Sequence, residues 1–426
     1  MGRAAPQAAL GAVVPGHPLI PAARADAPRV ADVPAPAFEV RDASREGLYV
    51  HVPFCAVRCA YCDFATGPLS AEKLERYLVA VGREASRRAA AAAGVRFRTV
   101  FFGGGTPSAL SARHFRRLWT MLAGNFEIHP AAEITLEANP ETVNDALLAA
   151  WREAGVNRLS MGAQSFVPGE LERLGRIHGP ERPFEAVARA RRAGFERLSV
   201  DLMFGFPGHT AAAWRHTLAR TLELGVEHVS AYCFIPEDET PLGGALLRGE
   251  VTLPGPDEQA ERYAELVETL TGAGYAHYET SNFARPGGEA RHNLVYWLRR
   301  RYLSLGPSAH GMWDRVRYAD FRGFERWAAA LQSDEPCDER DPETDVSVGE
   351  EIVMLALRLG SGLQERDHDP GDWARMSARY AGPLRQALEE GRLERCEGGL
   401  RVPPRHRFMA DDVIAWLMAR AASCAG

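Results

Sequence analysis

The chain is 426 residues long, with 46% hydrophobic residues, 25% charged residues and a formal net charge of −6. This is an ordinary globular profile, and it excludes a broadly basic nucleic-acid-binding surface. No apolar run approaches the ~20 residues that a membrane-spanning helix needs, and the length suits one large domain with small additions.

Residues 1–44 are rich in Ala and Pro and lack an apolar core followed by a cleavage site, so a disordered tail is expected rather than a signal or transit peptide. From residue 47, short β-branched and aromatic runs alternate with stretches of helical period. The expected strands are "LYVHV" (48–52), "RTVFFGG" (98–104), "EITLEAN" (133–139), "RLSMGAQ" (158–164), "RLSVDLMFG" (197–205) and "HVSAYCFI" (228–235). Helical stretches are expected at Ala71–Ala93, Ala112–Ala123, Asn144–Ala154, Pro183–Ala193 and Ala211–Leu224. Six strands, each followed by a helix, predict an α/β fold with a parallel sheet and right-handed crossovers. Periodicity leaves two closures open, a doubly wound sheet or a barrel-like curl. In either, ligands collect beyond the carboxyl ends of the strands. The unusual residues fall there: "CAVRCAYCDF" (55–64) after the first strand, then "GGGTPS" (103–108), "EANP" (137–140), "GAQS" (162–165) and "DLMFGFPG" (201–208). Further on, the basic run "WLRRRY" (297–302) reads as a solvated face. The last part runs from a helical pattern (348–363) through a short hairpin (393–408) to a final helix (411–422).

Three of the seven cysteines, Cys55, Cys59 and Cys62, share one loop, while Cys233, Cys337, Cys396 and Cys424 are scattered. An odd total without a secretory signal fits a reducing cytoplasm. A disulfide within the loop would strand one thiol, and structural zinc usually takes four ligands. Three thiolates instead suit an iron–sulfur cluster of four irons with one iron left open.

The spacing Cys-x3-Cys-x2-Cys resembles that of radical S-adenosylmethionine (SAM) enzymes. The resemblance implies a radical SAM partial (βα)6 barrel and a [4Fe–4S] cluster whose open iron chelates the amino and carboxylate groups of SAM. It also implies reductive cleavage of the sulfonium to methionine and a 5′-deoxyadenosyl radical. "LYVHVPFCAVRCAYCDF", "FFGGGTPS", "SMGAQSF", "LGRIH" and "DLMFGFPG" resemble the group that contains oxygen-independent coproporphyrinogen III dehydrogenase, over roughly residues 47–420. Carried over by motif, Tyr49, Tyr61, Gly104, Gly105, Thr106, Glu137, Gln164, Arg176 and Asp201 match SAM-contacting positions, with Ile235 matching more loosely. Arg176 is expected on a helix in "LERLGRIH" (171–178). The dehydrogenases carry a further cysteine two residues after the third, where this chain has Phe64. That departure, together with "HNLVYW" (292–297), resembles a heme-chaperone branch of the group.

The resemblance then implies heme as a third bound group, with His292 as its contact, His310 as a second candidate, and Tyr296 and Trp297 against the porphyrin face. It implies respiratory hemoproteins as recipients, with peripheral membrane association and a homodimer as further expectations and no nucleic-acid partner. The alternative is a catalytic radical SAM enzyme, either a porphyrinogen dehydrogenase or a related methyltransferase or cyclopropanase. The expected division is a barrel over 45–285, a connecting segment over 286–344 that carries the heme motif, and a small winged-helix-like domain over 345–426. Acidic residues interrupt the basic ones in the last part, which favours a lid or docking surface over DNA binding.

Overall fold

The computed structural model describes residues 46–423, so the expected tail over residues 1–44 and Cys424 lie outside the described residues. The first strands and helices alternate: β1 (Glu46–Val52), α1 (Ala71–Ala89), β2 (Arg96–Gly104), α2 (Ala112–Asn125), β3 (Glu127–Ala138) and α3 (Asp145–Glu153). They continue as β4 (Arg158–Gln164), α4 (Arg182–Arg192), β5 (Arg197–Phe204), α5 (Ala211–Leu224) and β6 (His228–Cys233). Helix starts follow the side chains that can cap them. Ser70, Ser111, Asn144 and Thr210 each accept a backbone N–H from the first turn of their helix.

Beyond these come α6 (Pro256–Gly272), the strands β7 (Ala276–Glu279) and β8 (Asn282–Ala284), and α7 (Arg291–Trp297). They are followed by β9 (Arg301–Leu305), β10 (His310–Trp313), β11 (Val316–Asp320), α8 (Phe324–Gln332) and β12 (Asp338–Pro342). All twelve strands form one sheet in the order β12-β11-β10-β9-β1-β2-β3-β4-β5-β6-β8-β7. The order has two ends, so the sheet does not close into a full barrel. The expectation of six parallel strands is one short, because β9 pairs parallel with β1 from Glu46↔Arg301 to Val50↔Leu305. A central strand has two edges of backbone donors and acceptors to satisfy, and β2 covers only one edge of β1.

Alternation along the strands separates two faces. Leu48, Val50, Val100, Phe102, Leu136, Leu159, Leu198 and Val200 are buried in the main core with the helices. The opposite face carries Tyr49, His51, Glu133, Glu137, Ser160, Asp201 and Ser230 and is unusually polar for a parallel sheet.

The last part has its own core around Val348, Ile352, Met376, Tyr380, Val413 and Leu417. It is built from α9 (Asp345–Ala356), β13 (Leu363–Gln364), α10 (Pro370–Glu389), β14 (Glu394–Cys396), β15 (Gly399–Arg401) and α11 (Ala410–Ser423). Its three short strands pair antiparallel in the order β13-β15-β14. It docks on the β7–β8 hairpin, where Gly360 donates to the Tyr278 carbonyl (2.8 Å) and Arg407 to that of His277 (2.9 Å). Among the described residues no helix is long and apolar enough to cross a membrane.

Candidate functional site

The cysteine loop leaves the carboxyl end of β1 and is tied down at several points. The Gly67 N–H donates to the Pro53 carbonyl (2.9 Å), Ala60 N–H to the Leu174 carbonyl (3.1 Å) and Leu242 N–H to the Ala60 carbonyl (2.9 Å). Tyr61 packs beneath it against Leu174, Phe206, Phe234 and Leu242. All three loop cysteines are half-buried free thiols. Their three sulfurs are not all within 4.8 Å of one another. Three partly exposed thiols on one pinned loop fit the thiolate ligand set of an iron–sulfur cluster. Burial pushes the Cys62 thiol up to about 11, and coordination to a cation would reverse that by favouring the thiolate. Among the described residues, Glu84, Asp320 and Cys337 do bring ligating atoms together, but the Arg88 guanidinium already pairs with both carboxylates there.

"GGGTPS" lies directly under the loop. Gly105 N–H donates to the Val52 carbonyl (2.9 Å) and Thr106 N–H to the Phe54 carbonyl (2.7 Å). The Thr106 hydroxyl donates to Cys55 Sγ (3.3 Å). A Cβ on Gly105 would come within 2.7 Å of the Val52 and Phe54 carbonyl oxygens, and Gly104 sits at φ +100° against the His51 ring. Only glycine permits both the close approach and the backbone turn.

Four further predicted residues face the same mouth. Glu137 Oε2 accepts the Gly104 N–H (3.1 Å). Burial drives its carboxyl up to about 8, the Asp201 charge adds to the rise, and the Gly104 N–H opposes it. Asp201 accepts the Ser160 hydroxyl (3.1 Å) and is likewise raised, chiefly by burial. Gln164 closes β4 with φ +65°, an uncommon conformation for a residue with a side chain, where the β4–β5 register slips. Arg176 donates to the Gly162 carbonyl (2.8 Å), Asn139 Oδ1 (3.0 Å) and Cys59 Sγ (3.4 Å). Its expected place on a helix is corrected: the short helix Pro168–Arg173 ends before it, and the turn at Gly175 (φ +74°) lets the guanidinium swing inward. Ile235 is 42% exposed just past β6.

Two site residues escaped the sequence reading. His51 donates from Nε2 to the Ala65 carbonyl (3.2 Å), an oxygen that can only accept, so Nδ1 must accept the Tyr49 hydroxyl (3.1 Å). The signal was its place two residues after Tyr49, on the same strand face. Asn139, in "EANP", joins Arg176 to the Thr106 hydroxyl (3.4 Å).

His292 is placed differently from the SAM-motif residues. It lies at the amino ends of the strands, fully buried on α7 beside Gly47 and Thr99. Nδ1 bonds the Thr99 hydroxyl (2.8 Å), Nε2 bonds the Tyr296 hydroxyl (2.7 Å), and the backbone N–H donates to Glu133 (3.1 Å). The ring stacks on Phe101, which stacks on Tyr49. Burial lowers its pKa to about 3, so it stays neutral. Trp297 is packed against Tyr278, Leu294 and Leu359. In this arrangement neither imidazole nitrogen faces an open cavity. His310 is half-buried at the start of β10.

Comparison with known proteins matches residues 49–220 to the Radical SAM superfamily. The heme chaperone HemW of Mycobacterium tuberculosis is 34% identical over 394 residues, which span 92% of this chain and 99% of that protein. The heme chaperone HemW of Bacillus subtilis is 31% identical over 373 residues, 87% of this chain and 98% of that protein. Among solved structures, coproporphyrinogen III oxidase (HemN) from Escherichia coli superposes with a TM-score of 0.76 at 23% identity, covering 88% and 91% of the two chains, a likeness of fold.

Proposed function

The chain belongs to the HemW family within the radical SAM superfamily, and on that premise we propose that it is a heme chaperone that binds heme and delivers it to hemoproteins. The observation that carries this reading over a porphyrinogen-oxidising one is Phe64. An apolar ring, 55% exposed beside the cysteine loop, stands where the dehydrogenase pattern has a cysteine.

Cys55, Cys59 and Cys62 would hold the [4Fe–4S] cluster. SAM would lie against Tyr49 and Tyr61, with Ile235 at the rim. The Gly104, Gly105 and Thr106 backbone, with Glu137 and Asp201, would meet its cationic and hydroxyl groups, and Gln164 and Arg176 its polar and carboxylate groups. The cluster supplies one-electron chemistry to SAM when both are bound. The protein's own part is to fix the loop, exclude solvent beneath Tyr61 and set carboxylates at the mouth. Heme contact by His292 belongs to the same reading on the condition that α7 moves, because the Thr99 and Tyr296 bonds must first break. A cytoplasmic site of action, respiratory hemoproteins as recipients, peripheral membrane contact and a homodimer complete it.

The test is hemin titration of full-length protein with and without the reconstituted cluster, beside anaerobic incubation with SAM, a reductant and coproporphyrinogen III. A stoichiometric heme complex and no protoporphyrinogen IX are expected. Porphyrinogen turnover without any heme complex would overturn the reading.

A further inference from the structure

Each cysteine of the loop has a hydrogen-bond donor at its sulfur. The Thr106 and Thr66 hydroxyls reach Cys55, the Arg176 guanidinium and the Tyr61 hydroxyl reach Cys59, and the Phe64 backbone N–H reaches Cys62. Such donors help set the potential of an iron–sulfur cluster. Each N–H or O–H dipole offsets negative charge on a thiolate, so it favours the reduced, more negative state.

The Thr106 hydroxyl carries one proton and can rotate, so something must aim it. Asn139, just past β3, does so. Arg176 Nη2 can only donate, which makes the Asn139 atom 3.0 Å away the carbonyl Oδ1. The amide nitrogen then faces Thr106 and donates to Oγ1 (3.4 Å). With that oxygen accepting, its single proton is directed to Cys55 Sγ (3.3 Å). Asn139 is itself held, since its backbone N–H donates to Ser108 Oγ (3.1 Å) and Arg182 donates to the next carbonyl, that of Pro140 (3.1 Å).

The same guanidinium donates from Nη1 to Cys59 Sγ (3.4 Å). One arginine thus serves two thiolates, one directly and one through an amide and a hydroxyl. Arg176 Nε meets His178 Nε2 (3.3 Å) and Nη2 also meets the Gly162 carbonyl (2.8 Å), which leaves a second Nη1 proton for SAM.

We infer that Asn139 is a positioning residue that raises the reduction potential of the cluster by aiming the Thr106 hydroxyl at Cys55. The inference rests on the cluster reading and does not depend on heme. A carboxamide serves here because it accepts at one end and donates at the other. A carboxylate of the same shape accepts at both ends and draws the Thr106 proton away from Cys55.

The experiment reconstitutes the cluster anaerobically in full-length protein and follows its one-electron reduction by a titration monitored by electron paramagnetic resonance. Thr106→Val removes one donor and should shift the reduction equilibrium about tenfold towards the oxidised state, a potential lower by ~59 mV. Thr106→Ser keeps the hydroxyl and should keep the wild-type potential. Asn139→Asp should lower the potential further than Thr106→Val, because it turns the hydroxyl away and adds a charge. In the Thr106→Val background it acts by charge alone, so its shift there should be smaller. Iron content and a thermal melt check that each variant is loaded and folded. An equal Asn139→Asp shift in both backgrounds, or a wild-type potential in Thr106→Val, overturns the inference while leaving the cluster reading standing. Absence of any four-iron signal from the reconstituted wild type overturns the cluster reading, and the inference with it.

Discussion

Glu137 shows how the mouth trades stability for binding. Its folded pKa is raised to about 8 from an ordinary carboxyl value. The stability it contributes is therefore complete below the unfolded pKa near 4 and is lost as pH rises through 8. Glu137→Gln should stabilise the protein at pH 8 by ~2 kcal/mol, allowing for partial exposure, and the gain should vanish in melts below pH 4. The same variant should lose SAM affinity, since a neutral amide cannot pair with an ammonium, and isothermal titration checks this. Residues whose chemistry is set by spacing, such as the three cysteines, were legible in the sequence. Arg176 was legible as a candidate but not in its place, because three residues at 174–176 decide whether a helix ends. His51 was missed because its role lies in a tautomer fixed by a carbonyl 14 residues away.

At the scale of elements, α7 is the strut under the barrel. His292→Ala removes two side-chain hydrogen bonds and a stacking partner of Phe101, and it leaves a cavity beside Gly47. A loss of about 2–4 kcal/mol is expected in denaturant unfolding, so any loss of heme must be read against that melt. A second strut joins α1 to the antiparallel extension: Arg88 meets Glu84, Asp320 and Asp338 and lies over the Tyr318 ring. Arg88→Met should cost about 3–5 kcal/mol by leaving buried carboxylates unpaired, measurable as a lower thermal midpoint. The six early strands and their helices were readable because apolar period and cap residues agree. β9 was hidden by its length and flanking arginines, and β12 reads "DERDP", a polar edge strand that no apolar pattern announces.

Across the whole molecule, the last part is held to the barrel by charge as well as by the β7–β8 hairpin. Buried Arg299 joins Glu343, Glu351 and Asp372. Arg299→Met should loosen that docking and split one calorimetric transition into two, whereas a single unchanged transition would show that the hairpin contacts suffice. The helical and hairpin pattern of this part is readable in the sequence. It could not show the docking, because the partners lie more than fifty residues apart.

The strand that carries the cysteine loop is central, and its second neighbour lies 255 residues downstream, at the Arg301–Glu46 contact. During synthesis, β1 therefore waits with one edge open until residues 301–305 have left the ribosome. The loop is pinned by residues up to Leu242, but the strand that carries it is among the first segments made and among the last to gain its second edge. Cluster loading should accordingly follow completion of the chain. Ribosome-bound chains halted before residue 301 should leave Cys55, Cys59 and Cys62 open to alkylation, while chains halted well beyond β9 should protect them.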